Sequence, residues 1–129
     1  ANTYYQLGMQ KAMAIWEITP TAEFLASSMG SLSGTSEDKL EKIATQRWLV
    51  NYTNGYEGWA IVRDTGYPTS AVITSDNNDI ISFAGEMNGN QAHRLRYGTS
   101  TYSSNGANVN AAVSVQGSDN MATKLWFAK

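Results

Sequence analysis

His93, beside Arg94, is the one histidine in a chain of 129 residues that has no cysteine. Nucleophilic or acid/base work by an imidazole needs a positioned partner, and the sequence pairs His93 neither with an activated nucleophile nor with a second imidazole. A structural or exposed role is therefore expected for it. Glu57 and Asp64 lie seven residues apart, which on a helix is one face but two turns, roughly 10 Å. That is near the upper end of the carboxyl separation used in inverting glycoside hydrolysis. Any helix with acids at this spacing shows the same geometry, so the pair is expected to be surface charge, with a glycoside hydrolase fragment as the rival reading. Asp76-Asn77-Asn78-Asp79 offers oxygen ligands of the kind calcium takes, without the glycine and distant glutamate of an EF-hand loop; an exposed turn is expected, with no metal and no cofactor. Gly85-Glu86-Met87-Asn88-Gly89-Asn90 follows no strand with phosphate-cradling spacing and is expected to be a loop.

Aromatic residues are the other candidates. Trp16, Trp48 and Trp59 fall on apolar stripes of three successive helical patterns, with Trp126 in the tail, and core packing is the expectation for them. A sugar site would instead expose an aromatic face beside a few polar groups. Tyr67, Phe83, Tyr97 and Tyr102, in the loop-rich half, are better placed for that, and the three tyrosines are the first residues to examine.

The composition excludes several classes. A formal net charge of −2 with nine Lys and Arg scattered along the chain gives no basic field for nucleic acid. No cysteine means no disulfide, thiolate nucleophile or cysteine-bound metal. No apolar run approaches the roughly 20 residues of a membrane helix. Ala1-Asn2-Thr3 opens neither with methionine nor with a secretion signal, which suggests a processed or truncated start.

The elements that must position these residues are mainly helical. Tyr5, Met9, Ala12, Met13 and Trp16 recur at helical spacing between Thr3 and Thr19, with Gln6, Gln10, Lys11 and Glu17 facing away. Pro20 ends that helix, and Thr21 caps a short segment over Ala22 to Ser28. After a loop, Thr35 or Ser36 is expected to cap a helix from about Glu37 to about Tyr52, with Glu37 and Asp38 in its first turn and a stripe of Leu40, Ile43, Ala44, Arg47 or Trp48, and Asn51, which places Trp48 among the core-facing residues. Asn54-Gly55 reads as a helix stop, and a third helix from near Tyr56 carries Trp59, Ala60 and Arg63 before Asp64-Thr65-Gly66-Tyr67-Pro68 ends it. The two helices form an αα-hairpin. Beyond Pro68 the runs AVIT and IISF suggest short strands, and the Asn-, Ser-, Thr- and Gly-rich remainder to about Ser118 reads as irregular. The tail MATKLWFAK suits a short strand or an extended segment. Residues 1–68 are thus expected to be helical and 69–129 mostly irregular.

The stretch LEKIATQRWLVNYTNGYEGWAIVRDTGYP, Leu40 to Pro68, resembles a segment near the C-terminus of SusD/RagB outer-membrane lipoproteins. The resemblance rests on Leu40-Glu41, Gln46-Arg47-Trp48, Asn54-Gly55, Glu57 with Trp59, and Arg63-Asp64-Thr65-Gly66-Tyr67-Pro68. RLRYGTSTYSSN, NVNAAV and DNMATKLWFAK continue it in order, with Arg96, Gly98 and Ser104 departing from the family's usual prolines and tyrosine. The resemblance implies the C-terminal portion of a mainly α, tetratricopeptide-like scaffold with long irregular loops and a few short strands. It also implies that Trp48 and Trp59 pack the hairpin and that Arg63 binds carbonyls or a carboxylate at a helix end. The implied function is non-enzymatic: a cell-surface glycan- or nutrient-binding subunit of a TonB-dependent, SusC-like outer-membrane transporter. A lipid anchor is expected in chain preceding this piece, and the remainder of the parent chain is an expected partner. Sugar-contacting residues are not assigned. A helical scaffold binding protein rather than sugar is the third reading.

Overall fold

The computed structural model of the chain describes residues 1–69, 87 and 91–128. Five helices stand among them: α1 (Asn2–Ala14), α2 (Ala22–Ala26), α3 (Ser36–Val50), α4 (Gly55–Thr65) and α5 (Thr99–Gln116). There is no strand among the described residues. AVIT, IISF and most of the Gly85–Asn90 run lie outside them, and the tail forms turns. The chain divides into two compact units, Ala1–Pro68 and Thr69–Lys129.

In the first unit α3 packs on both α4 and α1, with Met9, Ala44, Ile61, Val62 and Pro68 buried. Helix α1 is shorter than its apolar spacing predicts. It ends at Ala14 because Glu17 takes a left-handed backbone (φ 58°). Two hydrogen bonds close that turn: the Ile18 N–H donates to the Met13 carbonyl at 3.0 Å and the Glu17 N–H to the Ala14 carbonyl at 3.1 Å. This is the Schellman pattern, normally built on glycine. The turn carries Trp16 off the expected stripe, and it is 54% exposed rather than in the core. Gln6 is also turned differently from expectation. Its amide is half-buried and donates to the carbonyls of Leu25 (2.8 Å) and Gly30 (3.0 Å). Gly30 must be glycine, since a Cβ there would collide with the carbonyl of Phe24. The loop leading to α3 is held from the other side by Lys42, whose ammonium donates to the carbonyls of Ser31 (2.9 Å) and Ser33 (3.0 Å).

Thr35 caps α3, its hydroxyl accepting from the Asp38 N–H at 3.2 Å while the Asp38 carboxylate accepts from the Thr35 N–H at 2.7 Å. These reciprocal bonds satisfy donors that a helix start otherwise leaves free. The Thr35 N–H and hydroxyl hold the Asp38 carboxyl below its ordinary range. Asn54-Gly55 works at the opposite helix end from the one expected. The Asn54 side chain accepts from the Glu57 N–H at 3.3 Å and so starts α4; α3 is closed instead by Asn51, whose side-chain amide donates to the Arg47 carbonyl at 2.8 Å. Gly66, with φ 77°, is the left-handed stop of α4.

In the second unit the Thr- and Ser-rich stretch read as irregular is the 18-residue helix α5. Low intrinsic propensity is offset by back-bonding: Ser103 and Ser104 hydroxyls donate to the carbonyls of Thr99 (3.1 Å) and Ser100 (2.8 Å). A break at Asn105 (φ −147°, ψ 34°) interrupts the helix, and Val109 is the buried anchor of its second part.

Candidate binding surfaces

The Glu57–Asp64 pair does not enter either concavity described below. Glu57 and Asp64 are both exposed on α4, and no group of three or more His, Asp or Glu side chains is poised for a metal among the described residues. Asp76 to Asp79 lie outside those residues. His93 is half-buried, and its backbone N–H donates to the Met121 carbonyl at 2.8 Å, which docks the tail.

The tyrosines singled out as a sugar platform spend their hydroxyls internally. Tyr67 donates to Glu37 at 2.7 Å, tying the end of α4 to the start of α3. Tyr102 donates to Asp119 at 2.9 Å, and the Tyr97 hydroxyl accepts from the Gln116 amide at 3.3 Å. The Arg94 guanidinium lies 4.9 Å from the centre of the Tyr97 ring and 2.9 Å from Asp119. These contacts make Tyr97, Tyr102 and Asp119 parts of one internal node. Hydrogen bonding of each phenol to a carboxylate raises the ionisation of Tyr67 and Tyr102 above the ordinary tyrosine value.

Trp48 is half-buried, and its ring faces Gly58 of α4 with 3.5 Å between it and the place a Cβ would take. Small size at position 58 thus lets the two helices close. Trp59 is also half-buried, with the Arg63 guanidinium 4.5 Å from its ring centre. Arg63 therefore stacks on the hairpin's own tryptophan one turn away. Trp126 is 81% exposed and meets Phe127 edge to face at 5.6 Å, so it is not a core residue.

Two concavities lie among the described residues of the first unit. The larger is an open, mostly apolar groove of ≈ 640 Å³ between α1 and α3, walled by Tyr4, Tyr5, Met9, Ile15, Ile43 and Val50. Ile43, which lines this groove, and Leu40, both expected to face the core, are exposed. The smaller, of ≈ 470 Å³, sits on the α3–α4 turn and is lined by Thr53, Asn54, Gly55, Tyr56 and Trp59. Tyr52 and Tyr56, at 84% and 85% exposure, stand at this turn. Neither lies on an apolar stripe, so periodicity does not single them out. Their position off the stripe, on either side of a turn signal, is the cue that the sequence offers.

An αα-hairpin capped in this way, carried on a further helix, matches a known architecture. Residues 26–128 match the SusD-like family model, described as SusD and RagB outer membrane lipoprotein. The chain belongs to the SusD-like family. Two solved structures share its fold over 100% of its length. One is described as a Bacteroidetes AC2a SusD-like protein, at a TM-score of 0.75 and 23% identity. The other is a SusD homolog from Bacteroides uniformis, at a TM-score of 0.71 and 27% identity. The SusD-like chain spans only 26% and 32% of the lengths of those two proteins. No curated protein matches it.

Proposed function

We propose that the chain is the C-terminal part of a nutrient-binding protein that captures oligosaccharide at the outer membrane and passes it to a TonB-dependent, SusC-like transporter. The observation that carries this reading is the family match over residues 26–128, supported by the shared fold of the two SusD-type structures. Binding without bond cleavage fits the surface, since Glu57 and Asp64 are exposed on the helix and line neither concavity. The exposed apolar groove between α1 and α3 is the seat for other parts of the parent protein, a role in keeping with the 26% and 32% coverage of its relatives. Calorimetric titration of the full-length protein with an oligosaccharide panel, and affinity purification of its membrane partner, test the reading together. Saturable sugar binding without release of reducing ends, plus recovery of a β-barrel transporter, is the expected result; sugar turnover would overturn it.

A further inference from the structure

Asn105-Gly106 stands at the break inside α5, where the Asn105 backbone leaves helical values (φ −147°, ψ 34°). An asparagine followed by glycine carries a latent reaction, since the next backbone nitrogen can attack the side-chain carbonyl carbon and close a five-membered ring. A regular helix suppresses it, because each backbone N–H is committed to the carbonyl four residues back. At Asn105 that protection is interrupted. Gly106 opens the second segment of α5, and the first N–H groups of a helical segment have no partner within it. The glycine leaves the approach open: a Cβ at position 106 would meet no side chain beyond its chain neighbours within 4 Å, and glycine itself brings none to shield its nitrogen. The carbonyl is also polarised. The Asn108 amide, exposed like Asn105, donates to the Asn105 Oδ1 at 2.6 Å, where charge develops during attack.

We propose that Asn105 is a site of spontaneous deamidation in the folded protein, an inference independent of the sugar-binding reading. The Gly106 nitrogen gives its proton to solvent and bonds to the Asn105 Cγ. The Cγ–Nδ2 bond then breaks, and the amide nitrogen takes a proton from water and leaves as ammonia. One water opens the resulting succinimide at either carbonyl, giving aspartate or isoaspartate, with no change of oxidation state. Either product places a carboxylate in a helix whose sequence has no charged residue, and isoaspartate adds a methylene to the backbone at the junction of the two segments. Asn54-Gly55 is the internal comparison. The Asn54 side-chain oxygen accepts from the Glu57 N–H as the cap of α4, so its Cγ is released only when that helix start opens. The sequence gives the two pairs the same neighbour; the fold separates them.

The test is a time course on the full-length protein at mildly alkaline pH, where more of the attacking amide is deprotonated, read by peptide mapping with mass spectrometry and by enzymatic methylation of isoaspartyl peptides. In native buffer Asn105 should convert ahead of Asn54, and in urea the two rates should converge. Gly106→Ala, which the open space at that position tolerates, should slow conversion of Asn105 in the folded protein to the rate of asparagines that no glycine follows, and should leave Asn54 as it was. An Asn105 that stays intact in native buffer while converting in urea overturns the proposal. Conversion of Asn54 as fast as Asn105 in the native protein overturns it as well, since the fold would then make no selection. Undiminished conversion in Gly106→Ala overturns the assigned ring closure.

Discussion

The carboxylate of Asp119 meets Arg94 at 2.9 Å, with only 7% of the arginine side chain and 10% of the aspartate side chain exposed. The same carboxylate accepts the Tyr97 N–H at 3.2 Å and the Tyr102 hydroxyl at 2.9 Å. One acid thus gathers the start of α5, the segment before it and the turn after it.

Breaking such a pair from one side leaves a buried charge without compensation, which costs about 3–5 kcal/mol. Asp119→Ala should therefore destabilise strongly, while Arg94→Met paired with Asp119→Leu should recover only the part due to the uncompensated charge, since the Tyr97 N–H and the Tyr102 hydroxyl still lose their acceptor. Chemical denaturation of the three proteins measures both. Similar stability for Asp119→Ala and wild type would remove the node from the account of this unit.

The phenols of Tyr102 and Tyr67 give a pH signature. Each donates to a carboxylate, Asp119 and Glu37 respectively, and each ionises above the ordinary tyrosine value, about 10. A raised folded-state value means that the stabilisation is complete below about pH 10 and fades as pH climbs through the folded-state value. Absorbance titration should show late tyrosinate steps that vanish in Tyr67→Phe and Tyr102→Phe. Ionisation of both at the unfolded-chain value would refute the bonds.

Thr35 is predicted to contribute about 1 kcal/mol through its cap on α3, the typical loss on Ala substitution at such a site. Thr35→Ser should retain most of that. Urea midpoints at constant slope would read the difference, and an unchanged midpoint for Thr35→Ala would show the cap to be dispensable.

Glu17 closes α1 in the left-handed region, where a residue with a Cβ is strained. Glycine fits the same turn, so Glu17→Gly should stabilise by about 0.5–1 kcal/mol after the extra freedom of the unfolded chain is counted. A lower melting temperature for this variant would contradict the assigned turn.

Trp48 is half-buried rather than enclosed. Its truncation to Ala should accordingly cost about 2 kcal/mol, below the roughly 3–5 kcal/mol of a large aromatic in a full core. A wild-type melt for Trp48→Ala would show that the contact with Gly58 does not hold the hairpin.

The hairpin was legible in the sequence because its signals are local. Thr35 with Asp38, Thr21 before Ala22, and Gly66 before Pro68 act within a turn of where they stand, and the structure uses them. Asn54-Gly55 was misassigned because the same two residues suit a helix stop and a helix start, and the choice depends on Asn51 having already closed α3. Helix α5 was illegible for another reason. Serines and threonines weigh toward loops by propensity, while the hydroxyl bonds of Ser103 and Ser104 to the preceding turn form only once the helix exists. The turn concavity is not legible because Tyr56 is marked by exposure, which no periodicity reports; Tyr97 and Tyr102 stand out by composition, and their hydroxyls prove to be internal ties.

The interruption at Asn105 has a consequence for how the second unit opens. A helix broken within its hydrogen-bonded ladder is two cooperative segments in series, and each opens with its own free energy. The segment from Thr99 is tethered by Tyr102, whereas the one after Asn105 is anchored by Val109. Amide exchange along α5 would then fall into two protection classes meeting at Asn105, and a protease given time would find its first cut at that seam.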